Sequence, residues 1–133
     1  MNRRSLLALG AALLASSAAA QTPATRTLQV RFARGASSAT MRGTVSGYDT
    51  VDYALVAHAG QTLDYRLRSD NDFADVVVFT PDGGELDAST VGGDSFAGTL
   101  PMSGRYRVRV LITRAGARRG AIAHYQLTIG IDD

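Results

Sequence analysis

Every second residue is apolar in run after run of this chain: Val51, Tyr53, Leu55 and Ala57; Leu63, Tyr65 and Leu67; Tyr106, Val108, Val110 and Ile112; Tyr125, Leu127 and Ile129. A period of two puts these side chains on one face of an extended strand and leaves the other face to water. Turn signals separate the runs at short intervals, at Ser46-Gly47, Ala59-Gly60, Pro81-Asp82-Gly83-Gly84, Gly92-Gly93 and Ser103-Gly104. No stretch shows the 3.6-residue period of an amphipathic helix. The spacing predicts strands at 39–46, 50–58, 61–68, 75–80, 85–88, 95–100, 104–113 and 121–131. The fold class is therefore all-β, an antiparallel β-sandwich of about eight strands, with a closed barrel as the alternative. The run Val76-Val77-Val78-Phe79 is apolar on both faces, as suits a central strand.

The N-terminus has the three parts of an export signal: Arg3 and Arg4, an apolar stretch from Ser5 to Leu14, and Ala18-Ala19-Ala20 before Gln21. Residues 1–20 are expected to be cleaved, leaving 21–133 as one folded domain without a membrane segment, because the apolar run falls short of the roughly 20 residues that span a bilayer. Cleavage changes the charge. The precursor carries 14 basic and 12 acidic residues, and Arg3 and Arg4 account for the difference. A formally neutral exported chain argues against nucleic acid as a partner. The chain has no cysteine, which excludes a lipid-modified cysteine, disulfides and thiol catalysis. Its stability must come from packing, and a chain of this length can build one core.

Little here suits catalysis. The two histidines, His58 and His124, occupy outward strand positions. The run 93-GDSFAG-98 resembles the nucleophile block of some esterases, yet it lies inside a β pattern with no Asp-x-x-His downstream. No glycine-rich loop precedes a helix. The expectation is a protein that is not an enzyme and takes no cofactor. The acidic run 70-DNDFAD-75 could offer Asp70, Asp72 and Asp75 to calcium, but it lacks the glycine and distant glutamate of a helix-loop-helix site, so a solvated turn is expected.

The arginines are more informative. Residues 100–131 contain Arg105, Arg107, Arg109, Arg114, Arg118 and Arg119 and no acidic residue. The first three face away from the apolar set of their strand, as on any wet face. The last three crowd a glycine-containing loop, 114-RAGARRG-120, where planar guanidinium groups suit the carboxylates of a partner. Asp70, Asp72 and Asp75 are the competing internal partners. If the strands alternate in direction, and 85–88 counts as one of them, the loops at Tyr48, 69–74, 89–94 and 114–120 gather at one end of the sandwich. Those at Ala59-Gly60, 81–84 and 102–104 gather at the other. Without a strand at 85–88 the earlier loops change ends.

The pattern of 43-GTVSGY-48, 59-AGQTL-63, 81-PDGG-84, 95-SFAGTLPMSGRYRVRV-110 and 114-RAGARRGAIAHYQL-127 resembles the periplasmic inhibitors of lysozyme, particularly those directed at g-type lysozyme. It is shared more loosely with the bacterial pre-peptidase C-terminal domain. The resemblance implies a periplasmic, non-catalytic β-sandwich that blocks the substrate cleft of a muramidase with protruding loops. It implies lysozyme contacts at Arg114 and Arg118, with Arg119 beside them, and at Tyr48. Similarity to the i-type inhibitors lies in Ser103, Gly104 and Tyr106. Ser103 and Arg114 sit at opposite ends of one strand, on the order of 35 Å apart at roughly 3.3 Å per residue, too far for one narrow cleft. Grouping Tyr48 with the arginines favours the g-type reading, with i-type lysozyme as the other target. Alternation also points Tyr106 inward. The alternative class is an accessory module for polysaccharide or protein, for which the missing tryptophan is unfavourable. Sheet-edge pairing leaves room for a homodimer.

Overall fold

Strands with one apolar face must bury it, and two sheets facing each other do so for all of them at once. A computed structural model describes residues 22–86 and 95–133. Its strands are β1 (Thr25–Gln29), β2 (Ser38–Ser46), β3 (Thr50–Ala57), β4 (Thr62–Ser69), β5 (Ala74–Phe79), β6 (Ser95–Thr99), β7 (Gly104–Ile112) and β8 (Ile122–Asp132), with a short helix α1 (Arg114–Arg118) between the last two. They form two four-stranded sheets of order β1-β3-β7-β5 and β2-β8-β4-β6. The β-sandwich expected from the alternation is the fold observed.

Three expectations need correction. No strand was expected at 25–29, where TRTLQ has one large apolar residue and every side chain is exposed. Pairing with β3 holds β1 in place, and that pairing is parallel in an otherwise antiparallel structure. The strand expected at 85–88 is a single bridge, Phe79 to Glu85, with Leu86 donating to the Val78 carbonyl; residues 87 and 88 lie outside the described residues. Finally, β5 is an edge strand. Its outward Phe79 is apolar because the guanidinium groups of Arg107 and Arg109 cover the ring, each 4.8 Å from its centre.

The inward residues of both sheets are almost fully buried, including Tyr53, Leu55, Val108 and Val110 from one sheet and Leu63, Tyr65, Leu127 and Ile129 from the other. Each such side chain contributes roughly 1.5–3 kcal/mol by leaving water. The buried tyrosines treat their hydroxyls differently. Tyr53 and Tyr125 meet across the core with their oxygens 2.7 Å apart. Tyr125 needs the space above Gly43, where a Cβ would lie 2.5 Å from its hydroxyl oxygen. Tyr106 donates to the Met102 carbonyl at 2.5 Å and closes the turn ahead of its own strand. Tyr65 stacks on Phe96 but its hydroxyl has no partner among the described residues. Burial, with help from the charge on Asp75, pushes the Tyr65 phenol up to about 12.

On the outer face of the first sheet, the register sets Asp52 of β3 opposite Arg109 of β7. Asp52 is 1% exposed and accepts from Arg107 Nη1 at 3.1 Å, Arg109 Nε at 2.6 Å and Arg109 Nη2 at 3.0 Å. Arg105 reaches Gln29 of β1 at 3.4 Å. The wet face expected for these three arginines is thus compensated at two of them, Arg107 and Arg109, with the compensating charge on the neighbouring strand.

Asp52→Asn is expected to lower the unfolding free energy by about 2 kcal/mol, less than the roughly 3–5 kcal/mol of a fully buried pair because the arginine side chains stay 25% and 37% exposed. A urea titration checks this as a shift of midpoint at constant slope. Tyr65→Phe removes a hydroxyl without a partner and is expected to leave the melting temperature unchanged or higher, whereas Tyr53→Phe lowers stability by about 1 kcal/mol. The raised phenol of Tyr65 means that the folded state keeps a proton the unfolded chain gives up above about pH 10. Stability should therefore decline from about pH 10 to 12, and less steeply in Tyr65→Phe.

Candidate functional site

Three connections cross between the sheets side by side at one end. The turn Gly47–Asp49 joins β2 to β3, the segment Thr113–Ala121 joins β7 to β8, and Asp70–Phe73 joins β4 to β5. Because β2 neighbours β8, and β3 neighbours β7, the first two run together. The Gly47 N–H donates to the Ala121 carbonyl at 3.0 Å and ties them. The grouping of Tyr48 with the arginine segment follows directly from this topology.

The arginine segment was expected to be a loop, and it contains one turn of helix. Thr113 caps α1, its hydroxyl accepting from the Gly116 N–H at 3.4 Å, and Arg118 sits in the last turn where a cation suits the helix dipole. Five residues are too few to show a 3.6-residue period. Gly116 and Ala117 are the buried positions, while Arg114, Arg118 and Arg119 face solvent. Gly116 is required for close approach: a Cβ there would lie 2.5 Å from Cβ and Cγ of Phe73. The Thr113 N–H also donates to the Phe73 carbonyl at 2.8 Å. Gly120, at φ +69°, turns the chain from the helix into β8.

The acidic run does not neutralise these arginines. Asp70 accepts the His124 N–H at 2.9 Å and pairs with His124 Nδ1 at 2.8 Å. Those bonds, the backbone N–H first, hold its carboxyl below the usual range. Asp75 accepts the Val76 N–H at 2.8 Å. Among the described residues, no group of three or more acidic or histidine side chains is placed to hold a metal ion. Arg114 and Arg118 form no ion pair among the described residues. Arg119 lies over the Phe73 ring at 5.5 Å. Tyr48 stands beside them at the tip of its turn, 55% exposed, with Gly47 in the left-handed region at φ +58° and the Asp49 N–H donating to the Ser46 carbonyl.

No family model matches the chain. Over 133 residues, spanning 97% of this chain and 95% of the relative, it is 35% identical to an inhibitor of g-type lysozyme from Escherichia coli strain K12. The chain belongs to the g-type lysozyme inhibitor family. Solved members share its fold. The crystal structure of Aeromonas hydrophila PliG, a periplasmic lysozyme inhibitor of g-type lysozyme, superimposes with a TM-score of 0.73 at 36% identity, covering 84% of this chain and all of that one. PliG of Salmonella Typhimurium gives 0.65 at 32% identity, covering 80% and 98%.

In this member of the inhibitor family, Ser103, Gly104 and Tyr106 lie at the opposite end from α1, separated by the length of β7. Their groups serve the fold. Ser103 Oγ accepts the Ala59 N–H at 2.9 Å, Gly104 at φ +146° leaves no room for a Cβ against Pro81, and Tyr106 is fully buried. Two residues at the arginine end escape the sequence reading. Phe73, the platform under α1, sits in a loop and carries no signal. Ile122 is 53% exposed, and the alternation did contain its signal: with Ala123 and Tyr125 inward, Ile122 must point out.

Gly116→Ala is expected to overpack the contact with Phe73 and destabilise the protein by about 1–2 kcal/mol, even though alanine favours the helix. Thermal unfolding checks this, and adding Phe73→Ala should make the cost of the alanine smaller.

Proposed function

We propose that this protein is a periplasmic inhibitor of g-type lysozyme that closes the enzyme's substrate cleft with Arg114, Arg118 and Tyr48, Arg119 supporting them from the Phe73 ring. Residues 1–20 act as the export signal and are removed. The observation that carries the contact assignment is the pair of guanidinium groups on α1, exposed and without an acidic partner among the described residues, next to an exposed tyrosine on a tied turn.

A muramidase needs a carboxylic acid at its scissile bond. A guanidinium group that reaches it makes a charge-assisted pair out of bulk water and occupies the room of the sugar. No chemistry is required of the inhibitor, and the protein is not an enzyme. Because the backbone of α1 and of the Tyr48 turn is held by hydrogen bonds, little freedom is left to lose on binding. The charges chiefly speed encounter and fix orientation, while a few inserted side chains dominate the affinity.

The corner at Ser103, Gly104 and Tyr106 is a weaker basis for an i-type contact, since its polar groups are engaged internally. A glycan-binding platform is disfavoured too: Tyr48 is the one aromatic among the large hydrophobic residues left exposed in the described residues. A homodimer through a free sheet edge is compatible with cleft blocking, because the arginine rim lies at the strand ends.

The mature protein is expected to slow lysis of cell walls by a g-type lysozyme. Arg114→Ala combined with Arg118→Ala should weaken inhibition by about 100-fold, as for two central contact residues, with an unchanged melting temperature. Full inhibition by the double variant would remove α1 from the contact.

A further inference from the structure

Four large hydrophobic side chains are exposed among the described residues: Leu28, Tyr48, Val56 and Ile122. Two of them share one groove. Tyr48 and Ile122 are its large apolar side chains, and Pro23, Ser46, Gly47, Asp49 and Gly120 line the rest, with Asp49 accepting the Ala24 N–H at 2.9 Å. Ile122 is not a loose residue at a loop tip. It opens β8, paired with Ser46 of β2, and its carbonyl accepts from Asn71 Nδ2 at 3.2 Å. Ala121, just before it, holds the Gly47 N–H. The groove thus begins at Gly120, one residue beyond the last arginine of the rim, and is fixed to the same backbone.

We infer that Ile122 is a further contact residue, forming with Tyr48 an apolar ledge that receives a hydrophobic wall of the lysozyme beside its acidic cleft. The inference rests on the reading of α1 as the lysozyme-binding element and adds an apolar anchor to it. A large aliphatic side chain held in water on a rigid strand gains by being covered, and one next to the guanidinium groups is covered by whatever those groups engage. The arginines supply orientation, and the ledge supplies contact that depends little on salt. The partner surface it fits is apolar and lies within one side-chain length of a carboxylate.

Inhibition of a g-type lysozyme should be measured for the mature protein, Ile122→Ser, Ile122→Val, Val56→Ser, and the double variant Arg114→Ala with Arg118→Ala, each at low and high salt. Ile122→Ser is expected to raise the inhibition constant about tenfold with little change in its salt dependence. Ile122→Val should inhibit almost as well as the unaltered protein. Val56→Ser, which removes an even more exposed residue from the outer face of the other sheet, should have no effect. The arginine variant should lose both affinity and salt dependence. Undiminished inhibition by Ile122→Ser, while the arginine variant is impaired, would overturn the ledge and leave the wider reading standing. Undiminished inhibition by the arginine variant, or none by the unaltered protein, would overturn that reading first. An equal loss in Val56→Ser would also count against the ledge, since any exposed apolar residue would then matter.

Discussion

Burial of the inward faces of β7 and β8 is the interaction on which the molecule leans. Each is flanked by two neighbours within its sheet, β7 by β3 and β5, β8 by β2 and β4. Their side chains Val108, Val110, Leu127 and Ile129 are completely buried. The segment that joins these two strands is α1 with its arginines. A connection between two central strands is short of freedom at both ends, so the charged side chains stand on the best-supported backbone the fold offers. Preorganisation of this kind is what an inhibitor without chemistry needs.

Six arginines lie between residues 100 and 131, and the fold divides them. Two are held by Asp52 and cover Phe79, so an edge strand with an apolar outer residue is shielded instead of offering a sticky patch. Those on α1 find no such acid among the described residues. The same residue type therefore serves as cladding on the sheet and stands exposed at the rim, where the proposed contact would use it. What separates the roles is whether a carboxylate stands opposite in the register.

Strands β3, β4, β7 and β8 were legible because each carries an apolar face with a period of two, β5 because it is a short apolar run, and turn signals bounded β2 and β6, so that their ends fall within a residue or so. β1 was not, since Thr25 to Gln29 hold their position by pairing and bury no side chain. The helix was not, because α1 is a single turn around Gly116 and its stabilising contact with Phe73 comes from a distant loop. The ion pairs of Asp52 were invisible locally: Arg109 is 57 residues away, and only the strand register reveals them. The separation of Ser103 from Arg114 could be read from the length of one strand, but the clustering of Tyr48 with Arg114 and Arg118 by alternation needs a strand at 85–88, where the chain makes a single bridge. The neighbouring of β2 with β8 and of β3 with β7 is what brings them together. The outward place of Ile122 is written in the alternation, since Ala123 and Tyr125 point inward.

Because the arginine rim is the link between the two innermost strands, any mechanical pull on it runs lengthwise down β7 and β8. Their hydrogen-bond ladders are then sheared as whole rows, where a rim on an edge strand would be peeled off one bond at a time. If the rim is the plug proposed above, dragging it from a target strains the toughest direction of the molecule, and the grip of the side chains should give way long before the two sheets beneath them unravel.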